Sequence, residues 1–210
     1  MTDEALSRGE RTRSDILAAA HALFIERGFH ATSMRQIAQQ AEVALGGIYN
    51  HFTSKEDLFT AVFLELHPYL DVLPLLEDVQ GESVEQVIRE AAHRLVSGLG
   101  QRADFLNLMF IEMVEFNGQH IPQLFERFFP LLMKFTQRHL ANRPEVRPFP
   151  PVVAMRAFVG LFFSFLITDI LIADHLPPEG RQNALDYFVD IYLHGIIKDH
   201  DQPSPHLSHP

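Results

Sequence analysis

No cysteine occurs in the 210 residues, which excludes a disulfide framework and any thiolate metal site. A nucleophile elbow, a phosphate-binding glycine loop and a zinc-protease histidine pair are also missing, so none of these catalytic signatures is available. The opening MTDEALSRGERTRSD lacks the apolar core of a secretory leader, and with no cysteine to oxidise a reducing cytoplasm is the expected location. The longest apolar run, AFVGLFFSFLIT (Ala157 to Thr168), lies between Arg156 and Asp169. It is shorter than the roughly 20 residues a bilayer-spanning helix needs, so it reads as a buried helix and no membrane partner is expected. Positive charge is scarce as well. The net charge of −10 argues against a protein that coats nucleic acid or anionic lipid indiscriminately, while leaving room for a small local DNA-reading surface. Up to Phe59, six Arg and Lys stand against eight Asp and Glu, a net −2, so most of the acidity lies beyond that point.

What is present is helical patterning. With 47% hydrophobic and 21% charged residues, the chain has material for one large domain or two small ones. From Arg11 to Arg27, Ile16, Leu17, Ala20, Leu23 and Phe24 form an apolar stripe, and Gly28 is placed to end that helix. Ser33 and Gln36 have capping-box spacing before a short helix with Ile37, Ala38 and Ala41 on one face. After a turn at Glu42 and Val43, the residues Leu45, Ile48, Tyr49 and Phe52 suggest a third short helix, and Ser54 with Asp57 starts a fourth that runs to about His67. Two short helices joined by a tight turn and braced by a third make a helix-turn-helix, whose second helix enters the major groove.

At these residues the chain resembles a known family. TSMRQIAQQAEVALGGIYNHFTSKEDLF is similar to the N-terminal domain of the TetR family of transcriptional regulators, and the likeness covers Arg11 to Phe59. The resemblance implies an all-α protein: a three-helix helix-turn-helix domain, then a larger helical domain for ligand binding and dimerisation. It implies a cytoplasmic regulator without enzymatic activity or cofactor, most simply a repressor, that binds a palindromic double-stranded operator as a homodimer and is released by a small apolar or aromatic effector. Boundaries of 1–59, 60–198 and a disordered tail at 199–210 follow. Tyr49, His51 and Lys55 are expected to clamp phosphates, Lys55 at a helix start where free amides and the dipole favour an anion. Taken singly, each is as readily a solvated surface side chain.

Gly46 and Gly47 raise a separate question, because each glycine inside a helix costs about 1 kcal/mol relative to alanine. Close approach of bare backbone to the groove would offset that; the alternative is a loose turn. Compared with the family pattern, Glu42 replaces the turn glycine, Ala44 the hydroxyl that starts helix 3, and Leu45 a polar residue. Ala44 and Leu45 are therefore assigned to thymine methyls and Arg35 to a guanine edge, with a solvent-exposed arginine as the plain alternative. Ser33 and Asn50 complete the DNA-facing set.

Beyond Phe59, helical patterns cover 84–98, 104–117, 121–141, 152–173 and 179–198. No strand or internal repeat is evident. The apolar 152–173 segment and the face carrying Leu185, Phe188, Val189, Tyr192 and Ile196 fit half of a four-helix dimer interface, or simply core. Phe and Met concentrate between Phe105 and Phe135 and would line an apolar pocket or fill core. His67, His93, Met109, Phe110, Glu112, Met113 and Phe129 are the candidate effector contacts, and helix 4 is the expected lever between pocket and DNA. A helical-bundle metalloenzyme using Glu90, His93, Glu112 and Glu115 is the alternative of a different class; such centres need two Glu-x-x-His pairs, and only Glu90 with His93 forms one. His200, His206 and His209 are too sparse to make a ligand set.

Overall fold

Ser7 opens the first helix with a full capping box. Its hydroxyl accepts from the Glu10 amide at 3.2 Å and the Glu10 carboxylate accepts from the Ser7 amide at 2.7 Å. The computed structural model describes residues 7–99, 104–141 and 143–197; the 199–210 tail with its histidines, and the Phe105 side chain, lie outside the described residues. Helix α1 spans Arg8–Ala31, starting earlier than the apolar stripe suggests because the cap, not the stripe, sets the start. Gly28 does not terminate it. The backbone breaks there (φ 80°, ψ 170°) and a last turn follows to Ala31, closed by the Thr32 hydroxyl donating to the Gly28 carbonyl at 2.9 Å.

After α1 come α2 (Met34–Gln40), α3 (Leu45–Tyr49), α4 (Lys55–Glu65) and a single turn α5 (Tyr69–Val72), with a 3-10 turn at Leu73–Leu76. Next are α6 (Val84–Leu99), α7 (Asp104–Glu115), α8 (Ile121–His139), α9 (Pro151–Ile172) and α10 (Ala184–Ile196). No strand occurs among the described residues, only an isolated antiparallel bridge between Val146 and Ile197. The fold is all-α, as the periodicity requires.

Two compact units are present: Met1–Asp71 with Arg102–Phe128, and Val72–Gln101 with Phe129–Pro210. The first therefore extends well past the 1–59 stretch. Its core is made by Ile16, Leu23 and Phe24 of α1, Ile37 of α2, Ile48 of α3 and Phe59, Val62 and Phe63 of α4, and it is completed by Leu108 of α7 and Leu124 of α8. The Phe59 ring stacks on Phe116 with centroids 4.7 Å apart and planes 5° apart. Arg13 clasps Glu65 with both arms at 2.7 and 2.6 Å, tying α1 to α4. Inside this apolar packing sits a satisfied polar group. Glu112, fully buried, accepts from the His120 backbone amide at 2.7 Å and from its Nδ1 at 2.8 Å, while His120 Nε2 meets the Thr60 hydroxyl at 3.0 Å. The turn that folds α8 back to make this possible uses left-handed backbone at Asn117 (φ 52°) and Gly118 (φ 74°).

The second unit is built on the inner face of α6, with Val84, Val87, Ile88, Ala91, Ala92, Leu95 and Leu99 all buried. Gly98 is required there: a β-carbon would lie 2.9 Å from the Val72 methyls. Arg89 holds α10 through Asp186 and Asp190, and the Tyr192 hydroxyl donates to the Ala154 carbonyl of α9 at 3.1 Å. Helix α9 is not the buried helix expected. Ala154, Met155, Phe158, Phe162, Phe165 and Leu166 are buried, but Val152, Val153, Val159, Leu171 and Ile172 are exposed. Nor is it too short to cross a bilayer: Pro151–His175 has the length and composition to do so, because the helix runs on past the charges that bracket the apolar run. Lys55–Leu76 passes the same test and is half buried.

Candidate nucleic-acid interface

The recognition segment is short because its ends are set by local chemistry. The Ser33 hydroxyl accepts from the Gln36 amide at 3.3 Å and the Gln36 side chain returns to the Ser33 amide at 2.8 Å, so α2 begins at Met34. It stops at Ala41, and the next residue, Glu42, takes left-handed backbone (φ 55°). That is the position where glycine would sit without strain, and a side chain there costs about 1 kcal/mol. Val43 closes the turn by donating to the Ala38 carbonyl at 3.0 Å. Ala44 then occupies the N-cap of α3 without a side-chain cap, so the missing hydroxyl leaves the first amides of α3 without a side-chain acceptor.

Within α3 only Ile48 is buried. Ala44, Leu45, Gly46, Tyr49 and Asn50 are exposed, Leu45 at 42% and Tyr49 at 52%. Gly47 and His51 are half-buried, and Ser33 and Arg35 on α2 are exposed. Neither glycine is demanded by packing. A β-carbon on Gly46 would meet nothing within 4 Å, and one on Gly47 would touch only Val43 at 4.0 Å. The helix thus carries two destabilising residues for which the chain itself gives no steric reason.

Lys55 is placed differently from a free phosphate hook. Its ammonium donates to the Phe29 and Thr32 carbonyls, each at 2.8 Å, and lies 4.3 Å from the centre of the Phe29 ring. Two of its three protons cap the end of α1, leaving one for an outside acceptor. Phe29 and Thr32, which form this seat, carry no motif in the sequence; the signal available was their position one turn apart just after the Gly28 break.

The candidate effector residues are dispersed. His67 is buried at the end of α4, where its Nδ1 accepts from the Tyr69 amide at 3.3 Å and its Nε2 is buried without a hydrogen-bond partner. Burial, followed by the neighbouring His21 charge, pushes its pKa down to about 3, so the ring is neutral. Met109 is half-buried against the first core, whereas Phe110 and Met113 are exposed. Glu112 is committed to His120, and Phe129 belongs to the second unit. His93 is exposed and meets Asp186 at 3.2 Å. The metalloenzyme set falls apart for the same reason. Glu90 binds Arg94 at 2.7 Å and Glu115 binds His30 at 2.6 Å. These carboxylates and His93 go to separate partners, and no group able to hold a metal ion occurs among the described residues.

With this geometry in view, the comparisons are direct. The model of the bacterial regulatory proteins of the tetR family matches residues 16–62, from the middle of α1 into α4. The helix-turn-helix segment of this chain is that of the TetR family. A curated relative, the HTH-type transcriptional regulator UidR of Escherichia coli (strain K12), is 31% identical over 110 residues, covering 52% of this chain and 56% of UidR. The chain thus spans little more than half the length of that relative. Two solved structures share the fold over nearly their whole length. The transcriptional regulator FadR from Bacillus subtilis in complex with stearoyl-CoA has a TM-score of 0.63 at 19% identity, covering 87% of this chain and 98% of that one. NalD, the secondary repressor of the MexAB-OprM multidrug efflux pump in Pseudomonas aeruginosa, has a TM-score of 0.63 at 22% identity, covering 91% and 99%. These relatives are regulators, and TetR-family members are not enzymes.

Proposed function

We propose that this chain is an effector-responsive transcriptional repressor that binds a palindromic operator as a homodimer. The observation that carries the reading is the exposed face of α3, where Leu45, Gly46 and Tyr49 are offered outward on a helix whose glycines have no internal use. Leu45 and Ala44 meet thymine methyls, Arg35 reads a guanine edge, and Ser33, Tyr49, Asn50, His51 and the spare proton of Lys55 take phosphates. Pairing of two copies uses the apolar outer faces of α9 and α10, where Val153, Val159, Leu171, Tyr187 and Ile191 are exposed. The effector is an apolar molecule with a polar group that meets the unpartnered Nε2 of His67; a neutral imidazole with Nδ1 accepting has a proton on Nε2 to give. That FadR is solved with stearoyl-CoA supports an effector with an apolar body. By linkage, an effector that weakens operator binding is itself weakened by operator to the same factor.

Selection of bound duplexes from random DNA, followed by titration of the enriched site, tests the reading. The expected outcome is a palindrome whose affinity falls steeply with salt, with Tyr49→Phe weakening all duplexes and Arg35→Ala relaxing one base pair. Enrichment of no sequence refutes it. Ile191→Lys should convert a dimer to a monomer in sedimentation; an unchanged dimer would move the pairing face elsewhere, and recovery of the wild-type chain in the membrane fraction would reassign α9 to lipid.

A further inference from the structure

The leading turn of α3 carries no polar side chain. Ala44, Leu45, Gly46 and Gly47 follow one another there, and none of them has a side-chain hydrogen-bond donor or acceptor. Leu45 is the one side chain among the four that is larger than a methyl group. At 42% exposure it keeps apolar surface for a partner to cover, while Ile48, fully buried three residues on, anchors the helix to the core. A β-carbon on Gly46 would meet nothing within 4 Å, so the backbone beside Leu45 is bare and open to a surface laid against it. The first exposed polar side chains after it, Tyr49 and Asn50, come a turn later. In the major groove, base pairs differ in their pattern of donors and acceptors and in whether a methyl group stands on C5. An aliphatic side chain with no polar neighbour senses only the second. Thymine and 5-methylcytosine carry the same C5 methyl and differ at the adjacent exocyclic group, O4 in one and the N4 amino group in the other.

We propose that Leu45 makes this protein a reader of the C5 methyl group itself, so that 5-methylcytosine takes the place of thymine at the contacted position and methylation of a cytosine there strengthens binding. The inference rests on α3 entering the major groove, as proposed above, and adds which chemical group it reads and how a modified base would regulate occupancy. Distinguishing the two methylated bases needs a donor or acceptor beside Leu45, and Ala44, Gly46 and Gly47 supply none from their side chains. Burial of one methyl group is worth a factor of about three to five in affinity. Two symmetric half-sites raise that to about ten to twenty-five.

The test uses the full chain and the duplex enriched from random DNA, titrated by fluorescence anisotropy. Each thymine is replaced in turn, in both half-sites, by uracil opposite adenine, and by cytosine and 5-methylcytosine opposite guanine. Two ratios then isolate the methyl group, thymine over uracil and 5-methylcytosine over cytosine, because the opposite base is the same within each. At one symmetric pair of positions both ratios should reach about tenfold and agree within about twofold. Leu45→Ala should bring both ratios to within about twofold of unity, since the shortened side chain no longer reaches the methyl; the base replacements on the wild-type chain carry the test without that variant. Uracil equal to thymine at every position, or a thymine preference that 5-methylcytosine does not share, overturns the proposal while leaving DNA recognition standing. Methyl preference retained in Leu45→Ala does the same. Enrichment of no sequence overturns the DNA-reading assignment and this inference with it.

Discussion

Replacing Lys55 by methionine separates two roles for the same side chain. Met keeps the length and the apolar stem but removes the ammonium that now donates to the Phe29 and Thr32 carbonyls at 2.8 Å and sits 4.3 Å from the Phe29 ring. Hydrogen bonds from a charged donor contribute about 1.5–3 kcal/mol each, and the ring contact adds about 0.5 kcal/mol at a partly exposed site. Partial exposure and screening reduce the sum, and the Phe29 carbonyl keeps a second donor in the Thr32 amide at 3.3 Å. A net loss of about 2 kcal/mol is the resulting expectation, or about 4–8 °C in the melting temperature of a chain this size. The assay is far-ultraviolet circular dichroism at 222 nm during heating, run beside DNA titrations. Lys55→Arg should not restore the midpoint, since a planar fork does not reproduce two convergent bonds from one nitrogen. A midpoint within 1 °C of wild type, together with lost affinity for every duplex, would refute the capping role and return the ammonium to a phosphate.

The remaining expectations concern neighbouring positions. Gly46→Ala should stabilise the fold by up to about 1 kcal/mol, because a β-carbon there meets nothing within 4 Å, and should weaken DNA binding; unchanged binding in a fluorescence anisotropy titration would remove the close-approach explanation. Glu42→Gly should relieve the left-handed strain at φ 55° and gain about 0.5–1 kcal/mol after glycine's extra unfolded-state entropy, read as a higher urea midpoint. His67 sets an acid limit. Its folded pKa of about 3 lies below the 6.5 of an ordinary histidine, so the neutral ring favours folding above pH 6.5. As pH falls from there toward 3 the unfolded chain takes up the proton first, and about 1.4 kcal/mol is lost per unit. His67→Leu should flatten that slope in urea titrations between pH 7 and 5, and an unchanged slope would place the acid sensitivity elsewhere.

Much of this architecture was legible because helices announce themselves locally. The Ser33–Gln36 box, the Ile37–Ala38 face and the stripe on α1 each follow from spacing within a few residues, and all sit where the spacing puts them. Features that depend on distant partners were not legible. Nothing near Lys55 in sequence points to carbonyls 23 and 26 residues earlier, and the Phe and Met concentration reads as one pocket although its members divide. Phe116 stacks in the first core, Phe135 lies in the second unit beside Phe158, and Phe110 and Met113 stay exposed. Helix α9 shows a third limit. Uniform apolarity records how much greasy surface exists but not which side of the cylinder the rest of the chain covers.

Because Leu108, Phe116 and Leu124 share one core with Phe59 and Phe63, the proposed DNA-reading head cannot be finished until synthesis has passed residue 124. A nascent chain therefore holds an unfinished head for the time it takes to make some sixty further residues. Grafting 1–59 onto another protein would carry that exposed aromatic surface with it, so a portable version of this reader has to bring the 104–128 elbow along.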